Sequence, residues 1–158
     1  MDPDAYLCQL AEIFNGISVN TPSLSAIIAI ILAGLLLLAS GFASASEIAF
    51  FSLSPSDLND IEEGNHPSDG KISNLLADSE RLLATILITN NFVNVTIIML
   101  CNFFFMNVFV FHSPLAEFLI LTVILTFLLL LFGEIMPKIY SAQKTLAFCR
   151  FSAPVIYM

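Results

Sequence analysis

Three asparagines, Asn90, Asn91 and Asn94, fall within five residues of the apolar run "LLATILITNNFVNVTIIMLCNFFFMNVFVF". Amides are costly in hydrocarbon unless something pairs with them. On a helix Asn90 and Asn94 share a face and Asn91 flanks it, so their carbonyl oxygens can converge on one point. A second cluster, "ASGFASASEIAF", sets Ser40, Ser44 and Glu47 at i, i+4 and i+7, one helical stripe, among small residues that let another backbone come close. A third, "FGEIMPK", puts Glu134 beside Gly133 and ahead of Pro137. Pro137 has no N–H, so in an α-helix the Gly133 carbonyl loses its donor, leaving a bare oxygen next to a carboxylate in a kinked helix. Lys138, one turn after Glu134, is placed to neutralise Glu47. Hydroxyl, amide, backbone and carboxylate oxygens without His or Cys suit a hard cation, Mg²⁺ or Ca²⁺, and also admit Na⁺. The plainer use of the serines and asparagines is hydrogen bonding between packed helices.

These clusters need long apolar elements to hold them. The chain has 158 residues, 58% hydrophobic and 11% charged, against about 25% charged in soluble domains, so it reads as an all-α integral membrane protein. Three stretches reach the roughly 20 apolar residues a spanning helix needs: about 24–50, 83–111 and 115–140. Only "HSP" separates the last two, which predicts a tight antiparallel hairpin. The N-terminus, "MDPDAYLCQLAEIFNG", lacks a basic leader, so the first span is expected to be retained. The net charge of −8 argues against a nucleic-acid partner.

All five basic residues, Lys71, Arg81, Lys138, Lys144 and Arg150, fall on one side of this arrangement. That asymmetry predicts a cytoplasmic C-terminus and an outside N-terminus. All three polar clusters then share one depth, the inner half of the membrane. A carboxylate there, Glu47 or Glu134, marks a partner or a function. Between the first two spans, 51–82 carries seven of the thirteen acidic residues, a solvated cap or a vestibule that concentrates cations. Within it "SPSDLNDIEEG" reads as a capped helix ending at Gly64, "HPSDG" as a turn, and "KISNLLADSERLL" as a helix running into span two. The segment 141–158 mixes basic and apolar residues and is expected along the inner surface. The chain stops inside an apolar stretch, which suggests a cytosolic continuation. Cys8, Cys101 and Cys149 fall outside, within and inside the membrane, so no disulfide is expected. His66 and His112 lie in polar connections, and no Ser/His or paired-Asp arrangement suggests an enzyme.

"SGFASASEIAFFSLSPSDL", "ITNNFVN" and "FGEIMPK" resemble the signature segments of the transmembrane domain shared by bacterial CorC and animal CNNM (cyclin M) proteins, in the same order along the chain. "SEIAFFSLSPSDL" also resembles the gliding-motility-associated branch of Bacteroidetes. The resemblance implies a homodimer in the bacterial inner membrane, with three transmembrane helices and juxtamembrane helices per subunit. It also implies cytosolic CBS domains that follow this domain, and Mg²⁺ efflux coupled to Na⁺ entry. Carried over to this chain, the ion ligands are Ser44, Asn90, Asn91, Asn94, Gly133 and Glu134, with Ser40, Glu47, Pro137 and Lys138 in support. Where many relatives read "SGSE", this chain reads "SASE", with Gly41 earlier. A different class of function, a membrane scaffold or regulatory subunit of an envelope or motility complex, would use the same polar band as packing, any bound cation being structural.

Overall fold

A computed structural model describes residues 18–110 and 114–157. Among the described residues, three helices are long and apolar enough to cross a membrane. The first, α1 (Leu24–Phe51), begins at Ser23, whose Oγ accepts the Ala26 N–H at 3.3 Å. Its 28 residues reach about 42 Å at 1.5 Å per residue, more than a bilayer's hydrocarbon thickness. The next two helices are short: α2 (Pro55–Glu62) and α3 (Asp69–Ala77). In α2, Ser54 and Asp57 form a reciprocal capping box with Pro55 in the first turn, and Gly64 at φ 67° ends the unit, as its sequence predicts.

The second span, α4 (Ser79–Val108), starts one residue after α3 rather than continuing it. Asp78 leaves the helical region at φ −122°, ψ 62°, and its Oδ1 accepts the Arg81 N–H. "ADSER" thus caps a new helix where an unbroken one was expected, because a short carboxylate competes well for free N–H groups. At its far end α4 stops at Val108, short of the expected 111. Phe109–Val110 (β2) instead pairs antiparallel with Ser18–Val19 (β1), Ser18 facing Val110 and Val19 facing Phe109. His112 and Ser113 of the "HSP" turn lie outside the described residues, as does Cys8.

The third span is built from α5 (Pro114–Leu128), a π-helical segment over Leu129–Ile135, and α6 (Met136–Gln143). Sequence alone suggests a kink at Pro137; the irregularity lies one turn earlier. The Met136 N–H reaches back five residues to Leu131 O, and Pro137 sits in the first turn of α6, where its missing N–H costs little. One extra residue in the preceding turn relieves the clash a proline ring otherwise makes inside a helix. A final helix, α7 (Thr145–Ile156), follows a break at Lys144.

Helix α1 is the hub, packing on α4, the π segment, α6 and α7. Its buried side is a run of small residues: Ala26, Ala29, Ala33, Ser40, Gly41, Ser44 and Ala45. Leu24, Ile28, Ile31, Leu35 and Leu38 are exposed on it. That inversion is what lipid allows: large apolar side chains face hydrocarbon at no cost, and close helix approach needs small ones. The apolar core proper lies at the end of the bundle carrying the basic residues. There Ala49, Phe50, Ile61, Ile72, Leu82, Ile86, Cys149 and Ala153 close together.

Candidate cation site

The small-residue stripe turns Ser40 and Ser44, both fully buried, toward α4. The Ser40 Oγ lies 2.7 Å from Asn90 Oδ1 and 2.7 Å from Asn94 Oδ1. A hydroxyl has one proton to donate, so two amide oxygens converge on a donor that can satisfy one at a time. The Asn90 Nδ2 donates onward to Ser44 Oγ at 3.2 Å. From the third span Gly133 approaches the same point: a Cβ on it would stand 3.3 Å from Ser40 Oγ. Pro137 can donate a hydrogen bond neither to Gly133 nor to Phe132. Glu134 follows, half-buried, with no hydrogen bond or ion pair among the described residues.

The third span holds this position through a parallel register on α1. A Cβ on Gly41 would meet Pro137 Cγ at 3.0 Å and Phe132 O at 3.4 Å. One turn further on, the buried Ser141 Oγ–H donates to Ala45 O at 2.6 Å. Gly133, Pro137 and Ser141 therefore form an i, i+4, i+8 stripe facing α1. Ser141 is the member that reading the sequence by motifs overlooks, although its spacing from Gly133 and Pro137 was there to find it. Lys138 pairs with Glu47 at 3.2 Å between Nζ and Oε2. The lysine one turn from Glu134 is thus engaged elsewhere.

Of the residues singled out from sequence, Ser40, Ser44, Asn90, Asn94 and Gly133 are brought together, and Glu134 adjoins them. Asn91 is not: it is exposed and makes no side-chain hydrogen bond among the described residues. One residue of helix rotation carries it about 100° from Asn90. Ser40, read from sequence as a supporting residue, is the hydrogen-bonding centre. Ser46 satisfies itself locally by donating to Phe42 O at 2.7 Å. Among the described residues no three His, Cys, Asp or Glu side chains gather, so the cluster is one of neutral oxygens beside a single unpaired carboxylate. Cys101 and Cys149 are free, and burial pushes the Cys149 thiol up to about 12, which leaves it unreactive at neutral pH.

If the cluster holds a cation, Gly133→Ala tests how tightly it is built. The new methyl would press on Ser40 Oγ and shift both asparagine contacts by a few tenths of an ångström. The expected outcome is Mg²⁺ affinity reduced about tenfold, or about 1.4 kcal/mol, in calorimetric titration, with helicity unchanged.

Fold and site together define a helical multi-pass membrane domain with a polar cluster of oxygen groups buried in its bundle. Residues 30–158 match the family model of the cyclin M transmembrane N-terminal domain, and the chain belongs to that family. The family is associated with divalent-cation transport and is not a known enzyme family. No curated protein matches the chain.

Proposed function

We propose that this chain is the membrane domain of a Mg²⁺ transporter working by Na⁺-coupled efflux. The observation that carries the reading is the convergence of Ser40, Asn90 and Asn94 oxygens, one proton serving two acceptors, beside Gly133 and the unpaired Glu134. Such a cluster is under-supplied with positive charge, which a cation corrects.

In this reading the ion enters from the end of the bundle that carries the basic residues, taken as cytoplasmic with the N-terminus outside. The acidic side chains of 51–82 raise its local concentration there. Asn90 and Asn94 turn their carbonyl oxygens from the Ser40 hydroxyl to the ion, Ser44 adds a hydroxyl oxygen, and the Gly133 backbone adds a carbonyl. Glu134 supplies the charge. Mg²⁺ gives up water reluctantly and requires near-octahedral geometry, so a flexible wall favours release; the π segment and Pro137 provide one. The working unit is a homodimer in the bacterial inner membrane, with cytosolic CBS domains following this domain.

A second reading has one observation in its favour. The Ser40–Asn90–Ser44 chain already satisfies most of its polar atoms without an ion, as a scaffold of an envelope or motility complex would require. Flux separates the two. Proteoliposomes loaded with Mg²⁺ should release it when an opposing Na⁺ gradient is applied, and release should stop when the gradient is removed. Mg²⁺ binding with no flux under any gradient assigns the ion a structural role and the chain to the scaffold class.

A further inference from the structure

Besides the cation cluster, the bundle carries a groove along the Gly41–Pro137 contact. Its larger part, about 410 Å³, is lined by Leu37, Leu38, Gly41, Phe132, Pro137, Tyr140 and Phe148, among others. A smaller hollow of about 240 Å³ shares Tyr140 and Phe148 and adds Lys144. The two adjoin at Tyr140 and Phe148 as an amphipathic groove, apolar in the larger hollow and cationic at a mouth beside Lys144. No acidic side chain lines either part.

Two observations identify the occupant. The larger hollow opens beside Leu38, 72% exposed, and Phe132, 44% exposed, on side chains that a spanning helix turns to hydrocarbon, so an acyl chain is what reaches it. At the mouth, Lys144 stands at the break between α6 and α7. Lys138 is paired with Glu47 and Arg150 with Asp69, whereas Lys144 has no ion pair among the described residues. An unpaired ammonium at the membrane interface, above an apolar slot between helices, matches an anionic headgroup above its tail.

We propose that this groove binds one anionic phospholipid per chain, its phosphate at Lys144 and its tail against Leu38, Phe132 and Pro137. A tail in this position touches the helical turn that holds Ser40 on its other side, so the lipid braces the wall of the cation cluster. The proposal does not depend on transport.

The test is native mass spectrometry of the purified protein released from nanodiscs of phosphatidylcholine with a minor fraction of phosphatidylglycerol. Retention of one phosphatidylglycerol per chain, enriched at least fivefold over its bulk share, is expected. Lys144→Gln should abolish the enrichment, while Lys71→Gln, which changes another unpaired lysine outside the groove, should leave it within twofold. Leu38→Trp, which fills the slot from an exposed position, should lower retention of both lipids. Equal retention of the two lipids by the unmodified protein, or equal effects of the two lysine substitutions, would mean general attraction to the surface and would overturn the site. So would efficient disulfide cross-linking of two copies through Leu38→Cys, which would give the groove to a second subunit.

Discussion

Glu134→Gln is expected to abolish Mg²⁺ binding, by at least a hundredfold, while the protein folds as before. The reasoning rests on which charges are free. Every other oxygen in the cluster is neutral, and a divalent ion leaving water needs compensating charge as well as ligands. Glu47 cannot supply it, because its carboxylate is paired with Lys138 at 3.2 Å. The Glu134 side chain has no hydrogen bond or ion pair among the described residues, so the amide removes charge without breaking a contact. Gln is also as good a helix former as Glu. Thermal unfolding in detergent reads both effects at once. Without Mg²⁺ the variant should melt at the same temperature as the parent or above it, since a partly buried unpaired carboxylate is costly in a membrane. At 100 times the parent's Kd, ligand binding stabilises the folded parent by about 2.7 kcal/mol, and this upward shift should vanish in Glu134→Gln. A variant that keeps the shift would remove Glu134 from the site, and a folded parent with no shift would leave the asparagines as packing groups.

The second large effect lies outside the membrane. Asp69 is fully buried at the start of α3 and takes a two-pronged bond from Arg150 on α7, Nε at 2.8 Å and Nη2 at 3.0 Å. It also accepts the His66 N–H at 2.9 Å. This pair ties the connection between spans one and two to the helix after span three. Arg150→Leu would leave a buried carboxylate with only the His66 N–H, at a cost of about 3 kcal/mol, seen as a clear drop in melting temperature at pH 7. Acid should shrink the difference. The Arg150 guanidinium, outweighing the opposing effect of burial, holds the Asp69 carboxyl below the usual carboxylate range. A depressed folded value contributes stability above the unfolded value of about 3.9, and that stability is lost as pH falls through the folded value. The gap between parent and variant should therefore narrow below about pH 4. Identical melting of the two proteins at pH 7 would show that the ion pair contributes nothing net.

Local chemistry accounts for what could be read without coordinates. The spans follow from hydropathy, because a bilayer imposes a minimum apolar length whatever the helices pack against. Ser54, Asp57 and Gly64 delimit α2 because capping is decided within four residues. The polar residues Ser40, Ser44, Asn90, Asn94, Gly133 and Glu134 stood out because polar groups at membrane depth need a reason. Family membership is shown by the match over residues 30–158.

Other features depend on partners far apart in the chain. Whether Asn90 or Asn91 faces α1 is a question of helix rotation, set by how the small side of α1 seats on α4; both lie in the same apolar run. Ser40 became the centre because two residues fifty and more positions away bring their oxygens to it. The β1–β2 pairing ends α4 at Val108 although no breaker stands there, since backbone groups at the hairpin's end found partners ninety residues upstream. The π segment answers Pro137 and the close approach of Gly41 together, and neither residue alone specifies it. The Asp69–Arg150 pair joins residues that read separately as one acidic and one basic position. Composition and caps determined that this chain makes three spans with a polar band inside them. The register between those spans, which follows from close packing over long separations, decided which oxygens meet.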